Sequence, residues 1–333
     1  MKSLAVVLLT YNGIDLLKQF LPKVLEYSPE AIVAVIDNKS TDDSVVWLKK
    51  KHPKVSCVEL EQNYGYAGGY NRGLKEIEAD IYCLLNTDVM VTPNWIPPLL
   101  DHFNSNPATA ILQPHILDYK VPNQFEYAGA AGGYLDANGV PFCRGRLFST
   151  LEEDQGQYQE TTQIFWASGA CFFIRSRQFW ELKGFDDDFF AHQEEIDLCW
   201  RMHHHGFNVM AVGESKIFHV GGATLKASPR KVFLNHRNSL WMLTKNLPDQ
   251  ILYTRLFSRL CWDGLAGIRY LLMFDFLSTW AIIRAHIAFY NHFKIMKVKR
   301  TQKTRFANYY YVRNIILQYF LRKKLNFNDL DKE

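Results

Sequence analysis

The chain has 333 residues, of which 48% are apolar and 22% are charged, a composition that excludes disordered, collagen-like and disulfide-scaffold proteins. Its net charge is +4, but residues 294–324 carry ten Lys or Arg and no acid, whereas the rest of the chain is mildly acidic. This separation favours a tail that binds an anionic surface over a protein that binds nucleic acid along its whole length.

Strand and helix signals alternate four times within the first ninety residues. Apolar runs predict strands at 4–10, 31–36, 54–60 and 81–85, and the intervening segments have helical spacing, the last of them at 69–78. This alternation predicts an α/β fold with a parallel sheet. Ligands of such sheets bind beyond the carboxyl ends of the strands, where we expect Thr10, Asn12, Asp37, Asn63 and Asp88.

The middle and the end of the chain have different patterns. Strand-like pieces at 110–113 and 164–174 predict an antiparallel extension, and a helix from about Gln193 to His205 follows. Strands are then predicted near 208–212 and 217–220. From residue 230 to about 322 the pattern is helical, and we predict two domains, residues 1–245 and a helical, basic extension at 246–333.

Three polar turns in the first domain are candidate ligand sites. Asp37 suits either a hydrogen bond to a nucleotide or a helix cap. The Gly-rich turn 63–71 opens a helix, whose free backbone N–H groups can meet a phosphate. Asp88, on a turn after an apolar strand, suits a hard divalent cation or an ordinary turn.

Glu194, Glu195 and Asp197 fall in the first turn of a predicted helix. The helix dipole favours acids there, which is the structural interpretation of the cluster. Apolar neighbours on both sides predict partial burial, which raises a carboxyl pKa towards the range of a general base. Glu194, Asp197 and Arg201 share one helical face, which allows them to pair with each other.

Two histidine features have competing interpretations. His219, at a strand end beside glycines, suits a metal ligand, a phosphate donor or a structural role. The tract 203–205 resembles a metal site, but consecutive helical residues point in different directions. We therefore predict that this tract is a solvated helix end.

Seven segments, taken in chain order, resemble family 2 glycosyltransferases of the GT-A fold, and in particular their rhamnosyltransferase-like branch. The segments cover most of residues 1–245. They are VVLLTYNG (6–13), VIDNKSTDDS (35–44), QNYGYAGGYNRG (62–73), LLNTDV (84–89), ASGACFFIR (167–175), GFDDDFFAHQEEIDLCWR (184–201) and FHVGGATL (218–225).

The resemblance implies an inverting transferase that moves a sugar from a nucleotide donor, dTDP-rhamnose or a UDP-sugar, to a hydroxyl of a glycan or lipid-linked glycan. It implies Mg²⁺ or Mn²⁺ at Asp88 and His219, and a general base at Glu195 with Glu194 beside it and Asp197 in support. By position, the nucleotide pocket takes Thr10, Tyr11, Asn12, Asp37, Asn63, Gly65, Gly68, Asn71 and Asn86. The sugar and acceptor pocket takes Trp166, Ser168, Gly169 and Arg201.

The chain departs from the family pattern at two positions. Its metal motif has Asn86 where a second acid is frequent, and its base position has Glu in place of Asp. The extra methylene leaves the base assignment open between Glu194 and Glu195, and we favour Glu195.

The tail has two interpretations. Apolar helices followed by a basic segment fit an interfacial element on an anionic membrane across 246–324, or helices packed on the catalytic domain or in a homodimer. No apolar stretch is long enough to span a bilayer, the first apolar run is too short for a signal peptide, and the six cysteines lack metal or disulfide spacing. We expect a cytoplasmic protein, peripheral at the inner face of the cytoplasmic membrane, without nucleic acid.

Two other classes of protein are compatible with parts of this sequence. An inactive nucleotide-sugar-binding or assembly subunit would share the fold, but the acids at 88, 194, 195 and 197 favour catalysis. A dehydrogenase needs glycines in its first turn, and this chain has TYNG there.

Overall fold

The computed structural model describes residues 3–221, 228–300 and 308–332. The end of the predicted motif 218–225 and residues 301–307 of the basic segment therefore lie outside the described residues. The strands are β1 (Leu4–Thr10), β2 (Ile32–Asp37), β3 (Ser56–Glu59), β4 (Ile81–Asn86), β5 (Val89–Val91), β6 (Thr109–Asp118), β7 (Gly133–Leu135), β8 (Pro141–Cys143), β9 (Arg146–Leu147), β10 (Thr150–Leu151), β11 (Thr162–Gln163), β12 (Cys171–Arg175) and β13 (Asn208–His219). The α-helices are α1 (Ile14–Tyr27), α2 (Ser44–Lys51), α3 (Gly65–Gly73), α4 (Pro97–Ser105), α5 (Ser176–Glu181), α6 (Glu194–His204), α7 (Pro229–Asn246), α8 (Asp249–Leu272) and α9 (Phe276–Val298).

A mixed sheet forms the centre of the molecule. Its order is β11-β13-β6-β12-β4-β1-β2-β3, with β5 paired to β13. The predicted parallel half is confirmed, because β1 pairs in parallel with β2 and β4, and β2 with β3. The predicted antiparallel extension is also present, since β12 runs antiparallel to β4 and β6, and β7–β10 form a second antiparallel sheet.

The sheet is buried on both faces, which explains the uninterrupted apolar run of β1. Alternate side chains of a strand point to opposite faces. Ala5 and Val7 belong to one hydrophobic cluster, and Val6 and Leu8 to the other. Strands covered by helices on both sides have no solvent face to mark with polar residues.

Several predicted boundaries are wrong. The helix predicted at 69–78 begins at Gly65, and the two strands predicted in 208–220 are one strand, β13, with a register shift between Val212 and Lys216. Of the strand predicted at 164–174, only the end forms as β12. The helical prediction holds for α7–α9, but residues 308–322 contain just a short π-helical turn at Leu317–Leu321.

The carboxyl-terminal helices and tail pack on the sheet domain. Tyr309 stacks on Trp200 of α6 with ring centroids 4.9 Å apart, and its hydroxyl donates to the Ala137 carbonyl at 2.7 Å. His203 and His204 are buried beneath this cover and bond to backbone carbonyls of Phe165 and Asn246. The predicted solvated helix end is therefore wrong for His203 and His204, because α7 and the tail cover them, whereas His205 is exposed as predicted. None of the helices in the described part of the chain is long and apolar enough to cross a membrane.

Candidate active site

The carboxyl ends of β1 and β2 bring two predicted nucleotide residues together. The strand register pairs Thr10 with Asp37, and both residues are buried. Asp37 accepts a hydrogen bond from the Ser40 amide through Oδ2, as a cap would. Its Oδ1 and the Thr10 hydroxyl are buried without a hydrogen-bond partner among the described residues. Unpaired buried polar atoms are costly, so this edge is suited to a polar ligand.

The adjoining turn is held by Asn12. Its side-chain oxygen accepts from the Thr41 amide at 2.7 Å, and its own amide donates to the Ser40 hydroxyl at 2.9 Å. The backbone of Asn12 is in the left-handed region, with φ of 53°. Tyr11, the preceding residue, is exposed beside this turn.

The Gly-rich turn before α3 does not offer the free N–H groups that the sequence predicts. The amides of Tyr66 and Ala67 both donate to the Phe190 carbonyl, and the Gly65 amide donates to the Asn63 side chain. A Cβ on Gly65 would lie 2.5 Å from the Phe190 oxygen, and its φ is +72°. Glycine is needed here because the loop before α6 approaches the backbone closely.

Gly68 and Asn71 also serve internal contacts. A Cβ on Gly68 would lie 2.9 Å from the Tyr64 side chain. The Asn71 amide group accepts from the Phe185 N–H at 3.0 Å and donates to the Phe185 carbonyl at 2.8 Å. These contacts fix the chain segment that leads to α6.

Asp88 and His219 form a buried pair at the ends of β4 and β13. His219 Nε2 lies 3.1 Å from Asp88 Oδ1, and its Nδ1 lies 3.2 Å from an oxygen of Glu126. All three side chains are almost completely buried. Burial alone lowers the pKa of His219, but the hydrogen bond to Asp88 and the nearby carboxylate of Glu126 outweigh it and raise that pKa to about 10. Asn86, half-buried at the end of β4, donates its backbone N–H to the Ala170 carbonyl.

The donor set of this pair fits a divalent cation shared with a substrate. Carboxylate oxygen is a preferred ligand of Mg²⁺ and Mn²⁺, and imidazole nitrogen binds transition-metal ions when it is deprotonated. Asp88 and His219 are joined by a hydrogen bond of 3.1 Å, so a cation bound here would replace the proton between them. No group of three His, Cys, Asp or Glu positioned for a metal occurs among the described residues. Phosphate oxygens and water would therefore supply the other ligands.

Glu194 and Glu195 begin α6, and burial raises the pKa of both. Burial and the charge of Glu195 raise the pKa of Glu194 well above its ordinary value. Burial raises the pKa of Glu195 to about 7. Glu194 is 4% exposed, whereas Glu195 as a whole is half-buried, although one of its carboxylate oxygens is buried. One oxygen of each has no hydrogen-bond partner in the described ranges.

Tyr66 connects these acids to the strand ends. The Tyr66 hydroxyl donates to the Gly169 carbonyl at 2.8 Å, and Gly169 lies just before β12. The charges of Glu194 and Glu195 act on Tyr66, whose pKa is raised mainly by burial. Because β12 is antiparallel to β4, its start lies at the sheet edge that carries Asp88. The acids of α6 therefore lie at the same edge as Asp37, Asp88 and His219.

Asp197 and Arg201 point into an internal ion-pair network. Asp197 accepts from Arg201 at 2.9 Å, from Lys245 at 2.8 Å and from Asn246 at 2.8 Å. Burial opposes its ionisation, but the charges of Lys245 and Arg201 hold the pKa of Asp197 below its ordinary value. Arg201 also donates to the carbonyls of Leu182 and Gly184. These internal contacts indicate that both side chains hold α6 in place.

Trp166 and Ser168 of the predicted sugar pocket are also internal. Trp166 is 4% exposed and donates to the Tyr134 carbonyl, while Ser168 is 1% exposed and donates to the Ala128 carbonyl. Gly169 is half-buried and supplies its carbonyl to Tyr66. The residues that the resemblance places in the sugar and acceptor pocket therefore make internal packing contacts next to the site.

Sequence reasoning missed three residues at the site: Glu126 beside His219, Tyr66 beside the acids, and Asn238 of α7 against the loop before α6. Glu126 could have been found in the sequence as a single acid between Phe125 and Tyr127, directly before a Gly-rich turn. Tyr66 lies within the predicted Gly-rich turn, but Asn238 carries no local signal.

Known proteins resemble this chain in sequence. The model of the family Glycosyl transferase family 2 matches residues 5–183, so Glu194, Glu195 and His219 lie beyond the matched range. N-acetylglucosaminyl-diphospho-decaprenol L-rhamnosyltransferase of Mycobacterium tuberculosis is 25% identical over 255 residues, 72% of this chain and 83% of that protein. The low-salt glycan biosynthesis hexosyltransferase Agl10 of Haloferax volcanii is 24% identical over 268 residues, 76% of this chain and 80% of that protein.

Solved structures show the same fold at low sequence identity. GalNAc-T7 with UDP, GalNAc and Mn²⁺ aligns with a TM-score of 0.59 and 16% identity, covering 75% of this chain and 49% of that one. The mannosyltransferase PcManGT from Pyrobaculum calidifontis, in complex with GDP-Man and Mn²⁺, aligns with a TM-score of 0.53 and 14% identity, covering 87% of each chain. These likenesses confirm the predicted GT-A fold.

Proposed function

The chain belongs to glycosyl transferase family 2, and from this premise we propose that it is an inverting transferase that moves a sugar from a nucleotide donor to an acceptor hydroxyl. The observation that carries the proposal is the position of Glu195. This half-buried carboxylate, with a pKa of about 7, lies at the sheet edge that also holds Asp37 and the Asp88–His219 pair. A general base and a diphosphate site are the two parts that direct displacement needs.

Glu195 acts as the general base in this proposal. A carboxylate with a pKa near 7 is ionised often enough to accept a proton and basic enough to take it from a hydroxyl. The acceptor oxygen then attacks the anomeric carbon as the bond to the nucleoside diphosphate breaks, so the configuration inverts. Glu194 lies beside it and is more deeply buried, and Asp197 supports α6 through its ion pairs.

Asp88 and His219 hold the diphosphate end of the donor. A divalent cation bound there, Mg²⁺ or Mn²⁺, neutralises the charge that develops on the leaving group. Support comes from the two adjacent side chains with metal-binding donor atoms and from the Mn²⁺ in both structural neighbours. Asp37 Oδ1 and the Thr10 hydroxyl, free of partners among the described residues, bind the nucleoside together with the exposed Tyr11 and the Asn12 turn.

The donor class is dTDP-rhamnose or a UDP-sugar, and the acceptor is a glycan or lipid-linked glycan. The name of the Mycobacterium tuberculosis relative includes L-rhamnose transfer and a diphospho-decaprenol acceptor. We assign residues 1–245 to the transferase domain and 246–333 to an extension that contacts an anionic membrane surface. The protein would then act in the cytoplasm, at the inner face of the membrane that holds its acceptor.

A donor panel tests this function. We expect dTDP-rhamnose or a UDP-sugar, with Mn²⁺, to raise the Tm of the full chain, and the same donor to yield a product of inverted anomeric configuration by NMR. GDP-mannose and free dTTP serve as controls for the sugar and the base. A Tm shift without turnover on lipid-diphosphate glycan acceptors would instead support the inactive binding subunit.

A further inference from the structure

Helices α8 and α9 form a hairpin whose outer side is apolar. We define its hairpin face by Phe257, Leu272, Phe274, Phe276, Leu277 and Trp280, each more than half exposed. Phe274 and Leu272, at the turn between the helices, are 79% and 75% exposed. Contiguous exposed apolar patches of this kind mark interaction surfaces.

The exposed charge around the hairpin face is positive apart from Asp275, which is half-buried in the turn itself. Residues 250–298 contain six Lys or Arg and two acids, Asp263 and Asp275. Asp263 is buried against Arg259 at 2.8 Å, and Asp275 accepts from the Ser278 amide at the start of α9. Arg269 and Arg284 are exposed beside the apolar residues.

Exposed apolar side chains together with exposed cations favour an anionic membrane over a second copy of the chain. A second copy of the hairpin face would bring cations against cations with only the half-buried Asp275 in 250–298 to pair them. An anionic bilayer supplies both an apolar layer for aromatic side chains and negative headgroups for arginine. We propose that the hairpin face is an interfacial membrane anchor, in which the turn at 272–277 enters an anionic bilayer while α8 and α9 lie along its surface.

The anchor deepens the proposed function, because a membrane-bound transferase meets a lipid-linked acceptor at the surface where that acceptor resides. Binding itself needs no turnover. Failure of the anchor and failure of the transferase proposal can therefore be observed separately.

Vesicle flotation tests the anchor with the full chain. We expect binding to vesicles of phosphatidylcholine and phosphatidylglycerol, and little binding to phosphatidylcholine alone. Phe274→Glu with Leu272→Glu is expected to reduce binding at least about tenfold, as is Arg269→Glu with Arg284→Glu. The matched control is Val46→Glu on α2, because Val46 is 65% exposed but lies outside the hairpin.

Three results would overturn the anchor. These are no flotation of the wild type with anionic vesicles, equal loss in Val46→Glu, and a dimer in light scattering that Phe274→Glu dissociates. Circular dichroism spectra and a Tm that match those of the wild type establish that the variants are folded.

A second, independent observation concerns the loop before α6. Three of its non-glycine residues, Phe190, His192 and Gln193, have φ between 64° and 72°. Such conformations are sparsely populated and persist only where neighbouring groups hold them. Gln193 directly precedes Glu194 and Glu195, so the shape of this loop sets where both carboxylates begin.

Asn238 of α7 holds this loop. It is completely buried, and its amide nitrogen lies within donating distance of the carbonyls of Phe189, Ala191 and His192, at 2.9, 2.9 and 2.7 Å. The loop is held from the other side by the α3 amides on Phe190. We infer that Asn238 is a positioning residue, which fixes the general base Glu195 by clamping the loop before α6. This inference rests on the proposed function.

Asn238→Ala tests the clamp through kcat and its pH profile. We expect kcat to fall about 10²-fold, as expected when a reacting group is misplaced by about 1 Å, with donor KM nearly unchanged. The pH midpoint of kcat should move below that of the wild type, because a loosened loop rehydrates Glu195. The charge of Glu195 acts on the neighbouring titratable groups Glu194, Tyr66 and Cys199, and Asn238→Ala alters none of these side chains.

Thr244→Val is the matched control. Thr244 is equally buried on α7, but its hydroxyl bonds only within the helix, to Leu240. We expect this variant to lose stability without a change in pH midpoint. An unchanged kcat and midpoint in Asn238→Ala, with an active wild type, would overturn the clamp alone.

Discussion

Replacing Glu195 with Gln is expected to lower kcat about 10²- to 10⁴-fold, the usual contribution of a general base. Gln keeps the size and the hydrogen-bonding capacity of the side chain but cannot accept the proton. Binding of the donor nucleotide should persist, because Asp37, Asp88 and His219 are untouched. Steady-state kinetics with isothermal titration of the nucleoside diphosphate measure both quantities.

The pH profile gives an independent check on the base. Burial raises the pKa of Glu195 to about 7, so kcat of the wild type should rise with pH through about 7 and then level off. The pKa of Glu195 in the folded protein lies above its ordinary value of 4.5. The contribution of this carboxyl to the free energy of unfolding is therefore lost as the pH rises through 7. Glu195→Gln should therefore not lower Tm well above pH 7.

Two variants complete the test of the base. Glu214→Gln alters an exposed acid of β13 and should leave kcat unchanged. Glu194→Gln distinguishes the roles of the two neighbouring acids. Because Glu194 is nearly inaccessible, we expect this substitution to lower kcat less than Glu195→Gln does. Full turnover in Glu195→Gln, together with its loss in Glu194→Gln, would move the base to Glu194.

Asp88→Asn is expected to lower kcat/KM about 10²- to 10³-fold and to weaken Mn²⁺ binding in the presence of a nucleoside diphosphate. The substitution removes the negative charge that faces His219 at 3.1 Å, and the amide is a weaker ligand for a hard cation. Electron paramagnetic resonance of Mn²⁺ measures the binding directly and does not depend on turnover.

The control for Asp88→Asn is Asp101→Asn, on the exposed side of α4. It should change neither Mn²⁺ binding nor kinetics. EDTA should abolish turnover of the wild type, and added Mn²⁺ should restore it. Undiminished turnover in EDTA would refute the role proposed for Asp88 and His219.

The interior of the sheet was predictable because strand patterns are local. An apolar run such as 4–10 becomes a strand whose alternate residues point to the two buried faces, whichever strand lies beside it. The carboxyl ends of the parallel strands share one edge, so Thr10, Asp37 and Asp88 were expected near each other from chain order alone. The partial burial of Glu194 and Glu195 followed equally from their apolar neighbours.

The partners of the site residues were not predictable. Glu126 meets His219 because β13 lies beside β6, and Asn238 meets the loop before α6 because α7 folds back over it. The α3 amides were expected to be free, yet the Phe190 carbonyl occupies them. Each contact joins segments that are distant along the chain, so no local pattern specifies it.

The sequence by itself determined the parallel half of the sheet, the family resemblance and the acids that gather at one edge, since these depend on periodicity and on residue order. Only the tertiary structure decided which acid is more exposed, which residues make internal packing contacts next to the site, and which side of the α8–α9 hairpin stays apolar and exposed. Those properties depend on what packs against each side chain, and packing is set by contacts between segments that the linear order leaves open.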